Sequence, residues 1–189
     1  MWKNREVKGM SHYKGNTYIY TDGACQGNGT DHSIGGWAFV CDRYDDTNGG
    51  CRKQITRYGG EAGATNNSME LRAVLEGLIF FFTTMDIFER LYILSDSKYI
   101  VNCMKDKWYL KWEQNGWRNS KGQAVANREL WEKILWYVRE IGENTIEFNW
   151  IKGHNNDLFN ETADRLAVKG LEELKAEIKS AKCDTTSKR

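Results

Sequence analysis

The chain has 189 residues, 40% of them hydrophobic, and 27 Lys and Arg balance 26 Asp and Glu to a net charge of +1. That length suits one domain with a sizeable core, and so small a net charge points to no nucleic-acid partner by itself. No stretch reaches the roughly 18 to 20 apolar residues of a membrane span, Met1 to Gly15 carry no apolar run of signal-peptide type, and the five cysteines (Cys25, Cys41, Cys51, Cys103, Cys183) include no CxxC pair suited to zinc. The expectation is a cytoplasmic monomer with reduced thiols, no membrane association and no obligate protein partner. Proline is absent, so turns fall to Gly, Asn and Asp.

In chain order, Thr17–Thr21 is β-branched and aromatic and stops at Asp22-Gly23, which predicts a first strand. A Gly/Asn-rich loop leads to a second strand over 36–41, and the Asp45–Gly50 turn to a third over 53–58. Together they read as an antiparallel meander. Asn67 or Ser68 can cap a helix running to about Thr83, with Glu70 in its first turn. Leu91–Leu94 reads as a short buried strand ending at Ser95-Asp96, and a helix starts at Ser97. The spacing of Leu130, Ile134, Leu135 and Val138 predicts a helix over 127–141. Thr145–Trp150 alternates as a last strand, and a final helix begins near Asn160. Beyond Ser180 the tail is polar and expected to fray. Strands followed by alternating helix and strand predict an α/β fold, a mixed sheet with helices packed on it. Trp131 and Trp136 are the tryptophans expected in the core.

Charge is unevenly spread. Between Ser97 and Arg128, Lys98, Lys105, Lys107, Lys111, Arg118, Lys121 and Arg128 stand against only Asp106 and Glu113, a basic segment in a near-neutral chain. Asp22 and Asp96 end two strands, where catalytic groups converge in open α/β sheets. Glu70 and Asp164 lie near the starts of two helices. Taken singly, each acid has a structural reading as turn, helix-dipole partner, cap or solvated charge.

The local sequences select them. Thr21-Asp22-Gly23, then Thr65-Asn66-Asn67-Ser68-Met69-Glu70-Leu71, then Ser95-Asp96-Ser97, then Lys152-Gly153-His154 with Asp164 ten residues later form an ordered set. In this the chain closely resembles type 1 ribonuclease H from about Tyr18 to Gly170. The resemblance implies a ribonuclease H-like fold with a five-stranded mixed sheet, three strands antiparallel and then two parallel. It also implies a catalytic domain over 16–171, between an N-terminal extension (1–15) and a C-terminal helix extension with a polar tail (172–189). The implied activity is hydrolysis of the RNA strand of RNA–DNA hybrids by two magnesium ions, for which manganese can substitute, leaving 5′-phosphate and 3′-hydroxyl ends. Asp22, Glu70, Asp96 and Asp164 become the metal ligands, Asp22 bridging both ions, and His154 assists proton transfer or product departure. Hard divalent ions prefer such oxygen donors. Four crowded carboxylates should also carry at least one raised pKa.

The same resemblance points to Gly23, Cys25, Asn28, Asn66 and Asn67 at the RNA–DNA hybrid, and to Thr65 and Asn127 at a DNA phosphate. The segment Lys105–Arg128, with Trp108, Trp112 and Trp117, resembles the family's basic protrusion. Several positions depart from the family pattern. The first loop lacks proline, Lys98 replaces a common glutamine, Glu113-Gln114-Asn115 replace more basic residues, and Gly63 stands where some relatives have arginine. The alternatives are a same-fold integrase, transposase or resolvase, or a non-catalytic hybrid-binding protein.

Overall fold

The computed structural model describes residues 15–30, 32–45, 51–84, 89–153 and 156–186. Five strands and five helices are formed, one helix more than the pattern predicts: β1 (Gly15–Gln26), β2 (Ile34–Asp45), β3 (Cys51–Ala62), α1 (Asn66–Thr84), β4 (Glu89–Ser95), α2 (Lys98–Lys105), α3 (Trp108–Gln114), α4 (Arg128–Ile141), β5 (Ile146–Trp150) and α5 (Leu158–Thr186). The sheet order is β3-β2-β1-β4-β5. β1 runs antiparallel to β2 and β2 to β3, while β4 runs parallel to both β1 and β5.

Adjacent residues of a strand face opposite sides of the sheet, and two neighbouring glycines of β2 show which helix covers which face. A Cβ on Gly35 would meet Met69 of α1, whereas one on Gly36 would meet the Ala167 carbonyl of α5. The α1 face carries the main core, where Ile19, Phe39, Leu78, Ile93, Trp131, Ile134 and Phe148 form one buried cluster. The α5 face is built of smaller residues, Ala38, Val40, Ala163 and Ala167, all fully buried. Both faces of the sheet are therefore covered, as a parallel strand pair requires.

Several boundaries differ from expectation. β1 continues past Asp22-Gly23 to Gln26 because β2 keeps pairing with it as far as Gln26–Ile34. Glu70 falls in the second turn of α1 rather than the first, since the helix begins at Asn66. The basic segment splits into α2 and α3 at Lys107, whose φ of 52° breaks the helical run. α5 begins at Leu158, where Asp157 Oδ1 accepts the Phe159 and Asn160 N–H groups at 3.0 and 3.1 Å. It then runs through Ser180 to Thr186, because its Glu-, Lys- and Ala-rich sequence favours helix and pairs Lys169 with Glu173 and Lys175 with Glu172.

Trp131 is fully buried as expected, but Trp136 is 49% exposed. Trp131, Ile134, Leu135 and Val138 share one helical face, and at about 100° per residue Trp136 turns away from it. Trp136 packs edge-on against Phe82 and Tyr137 instead. Among the described residues, no helix is long and apolar enough to cross a membrane.

Ile93 is fully buried at the centre of the sheet, in register with Ile19 and Phe148. Replacing it with alanine should cost about 3 kcal/mol and lower the melting temperature by roughly 6–12 °C, measured by thermal denaturation.

Candidate active site

The β1–β4 pairing ends at Thr21–Ser95, and Asp22 and Asp96 are the next residues on each strand. Asp22 stays within β1, paired with Ala38 of β2, while Asp96 is the first residue beyond β4. Glu70 joins them because α1 comes down directly onto β1. A Cβ on Gly23 would stand 2.4 Å from the Glu70 nitrogen and 2.6 Å from the Met69 carbonyl carbon, so only glycine permits that approach. Carboxylate oxygens of Asp22, Glu70 and Asp96 all lie within 4.8 Å of one another. Asp164, in the second turn of α5, stays outside this group of three, but its charge acts on Asp22.

Asp22 is 8% exposed and Glu70 6%. Burial, reinforced by the charges of Asp96 and Asp164, pushes the Asp22 carboxyl from an ordinary 3.8 up to about 7, although the Gly23 N–H donates to Asp22 Oδ1 at 2.7 Å. Burial also raises the Glu70 carboxyl well above its ordinary range, with Asp22 and Asp96 adding to the shift. Glu70 Oε2 is buried and makes no hydrogen bond within the protein. Converging carboxylates, one with an unsatisfied buried oxygen, match the donor set of a hard divalent cation.

The residues expected to contact nucleic acid have partners of their own. Asn28 Oδ1 accepts the Asn66 N–H at 3.1 Å, which ties the loop after β1 to the start of α1. Cys25 Sγ reaches the Ala64 carbonyl at 3.4 Å. Thr65 Oγ1 accepts the Ser68 N–H at 3.1 Å and so caps α1. Gly63 has a φ of 71°, a left-handed backbone where an arginine would be strained. Asn67 lines a cavity of about 690 Å³ between α1 and the basic segment, with Tyr99, Trp108, Lys111, Trp112 and Asn119 also in its wall.

Trp117 is 7% exposed, in contact with Trp112 of the cavity wall and with the Arg128 guanidinium, so it offers no open stacking face. Asn127 precedes α4 with a φ of 58°. Glu113 accepts two hydrogen bonds from Arg139 at 2.8 and 2.9 Å, which offsets its charge in the basic segment. Lys98 lies over the Trp150 ring, its Nζ 4.9 Å from the centroid. His154 lies outside the described residues.

Sequence reasoning passed over Tyr99, whose hydroxyl accepts the Trp131 indole N–H at 3.2 Å beneath the cavity. It also passed over Trp150, whose indole N–H donates to the Asp96 carbonyl at 3.0 Å. No spacing marks either residue; both are isolated aromatics whose partners are distant in sequence.

The family model for RNase H matches residues 14–172. A ribonuclease H from Legionella pneumophila (strain Corby) is 44% identical over 156 residues, covering 82% of this chain and 96% of the relative. The crystal structure of LC9-RNase H1, a type 1 RNase H with the type 2 active-site motif, superposes with a TM-score of 0.72 at 28% identity, covering 85% of this chain and 74% of that one. LC11-RNase H1, solved in complex with an RNA/DNA hybrid, superposes with a TM-score of 0.58 at 20% identity, covering 84% of this chain and 98% of that one, a likeness of fold. With a family match along most of its length, and a carboxylate cluster where β1 and β4 part, the chain belongs to the type 1 ribonuclease H family.

Proposed function

We propose that the chain is an endoribonuclease that hydrolyses the RNA strand of RNA–DNA hybrids at Asp22, Glu70, Asp96 and Asp164, leaving 5′-phosphate and 3′-hydroxyl ends. The observation that carries this reading is the convergence of three carboxylates within 4.8 Å, with a buried Glu70 oxygen left unsatisfied. Two magnesium ions, or manganese in their place, would supply Lewis-acid stabilisation of the attacking and leaving oxygens. Asp22, flanked by Glu70, Asp96 and Asp164, is the carboxylate both ions would share. Glu70, Asp96 and Asp164 would complete the set of residues holding the ions. His154, ahead of α5, would assist proton transfer or product departure.

Substrate contact falls to two surfaces. Gly23, Cys25, Asn28, Asn66 and Asn67 would meet the hybrid beside the carboxylates. Asn side chains both donate and accept, so they can address a ribose 2′-hydroxyl, the group that separates RNA from DNA. Across the cavity, Lys111 and Trp108 would hold the DNA strand by phosphate neutralisation and ring contact, with Trp117 supporting that wall. Thr65 and Asn127 would meet a DNA phosphate, and Lys98, over the Trp150 ring, would add a cation for the backbone. The hybrid bound to LC11-RNase H1, a protein of the same fold, supports this choice of partner.

Cleavage of RNA–DNA, RNA–RNA and DNA–DNA duplexes of one sequence tests the reading. Cutting should be confined to the RNA strand of the hybrid and stop in chelator. Asp22→Asn should lower the rate on the order of 10³-fold or more, about 4 kcal/mol of transition-state stabilisation. Cutting of DNA–DNA would instead indicate an integrase-like enzyme.

The raised Asp22 carboxyl sets a pH dependence. Between its ordinary 3.8 and about 7 the folded chain holds this proton more tightly than the unfolded chain. The associated stability is present in full below pH 3.8 and is lost as pH rises to about 7. In chelator at pH 8, Asp22→Asn should therefore melt roughly 4 °C or more above the wild type, and manganese should raise the melting temperature of the wild type much more than that of the variant.

Lys111→Ala should raise KM several-fold and reduce the slope of log KM against log salt by about one, read from steady-state kinetics across a salt series.

A further inference from the structure

Asp96 lies just beyond the end of β4 at Ser95. Its neighbours on β5 and in the segment that follows hold it in three ways. The Ile151 N–H donates to the Ser95 carbonyl at 3.1 Å, extending the strand link past the Ser95–Trp150 pair. The Trp150 indole N–H donates to the Asp96 backbone carbonyl at 3.0 Å. The third is a matter of space. A Cβ on Gly153 would stand 2.5 Å from Asp96 Oδ2, 3.5 Å from its Cγ and 3.7 Å from its Cβ.

Those three atoms all belong to one side chain. At Gly23 the nearest atoms are the backbone of Glu70 and Met69, so a side chain there would force two elements apart. At Gly153 the clash falls on the far end of the Asp96 side chain, which can relieve it by rotating. Gly153 is also not among the residues with a positive φ, so alanine can adopt its backbone without strain.

We propose that Trp150 and Gly153 are positioning residues for Asp96. The indole fixes the backbone of the aspartate, and the bare Cα of Gly153 leaves its carboxylate the volume in which it converges with Asp22 and Glu70. Neither residue need touch substrate or ion. Three oxygens gathered within 4.8 Å leave little room for a rotated carboxylate to remain a ligand. This inference rests on the reading that these carboxylates hold a divalent cation.

The test is calorimetric titration of the full chain with manganese alone, for the wild type, Trp150→Phe, Gly153→Ala and Trp136→Phe. The melting temperature of each chelated protein is measured alongside. Trp150→Phe keeps an aromatic ring at a site 43% exposed while removing the N–H donor, so it should fold. Both site variants should bind manganese about tenfold more weakly, with chelated melting temperatures within about 2 °C of the wild type. Trp136→Phe, on the outer side of α4, should bind as the wild type does. Wild-type affinity in both site variants overturns the inference. So does a fall in chelated melting temperature beyond about 5 °C in both, which would mark a general loss of structure. Failure of the wild type itself to bind manganese would instead overturn the carboxylate reading beneath it.

Discussion

Parallel pairing of β1 with β4 stops at Thr21 and Ser95 while β1 continues its antiparallel pairing with β2 to Gln26. The two strands part at the carboxyl end of the sheet, and the aspartates that follow, Asp22 and Asp96, emerge next to each other at the fork. Such forks are where open α/β sheets place their chemistry, because backbone groups released from the ladder and side chains from adjacent strands share one crevice. The other functional elements are arranged around this point. α1 reaches it from one side because Gly23 has no side chain, and the β5 end holds Asp96 through the Trp150 indole.

The arrangement works against stability before it serves chemistry. Two like charges roughly 5 Å apart repel by about 3 kcal/mol at an effective dielectric constant of 20, and burial of Asp22 and Glu70 adds a desolvation penalty. Both carboxyls respond by holding their protons far above the ordinary range. An array that resists ionisation alone is one that a divalent cation stabilises strongly, since the cation replaces mutual repulsion with attraction and satisfies the stranded Glu70 oxygen. The fold tolerates this strain because the surrounding core is dense. Leu71, Val74, Ile93 and Ile19 are all fully enclosed close to the acids in sequence or register.

Most of the sheet was legible because its strands are β-branched or aromatic runs bounded by turn residues, and α4 because its apolar residues recur at helical spacing. The errors have physical causes. Asp22-Gly23 reads as a turn from local chemistry, yet β2 supplies the partners that carry β1 onward. Trp136 looked like core by residue type, whereas the angular position on α4 turns it outward. The polar tail beyond Ser180 looked frayed, but α5 continues to Thr186. At the site, the ordered motifs placed Asp22, Glu70 and Asp96 together in sequence reasoning. The Trp150 bond and the role of Gly153 were invisible there because each depends on a partner in a different element.

Asp164 shows how the position of an outer carboxylate is determined from a distance. It sits on α5 three residues before Ala167, whose carbonyl would lie only 1.9 Å from a Cβ on Gly36 of β2. One strand over, at β3, a Cβ on Gly170 would meet the Gly59 carbonyl and one on Gly60 the Gly170 carbonyl in the same close manner. These contacts press the helix backbone onto the sheet, so small residues in β2 and β3 set how closely α5, which carries Asp164, approaches the sheet. Glu70 and Asp164 are thus brought in by two helices on opposite faces, each admitted by a glycine of the sheet, Gly23 for α1 and Gly36 for α5. The segment between β5 and α5 then joins two fixed anchors, Ile151 bonded to the Ser95 carbonyl and Asp157 capping α5. In sequence, the Lys-Gly-His motif falls between those anchors.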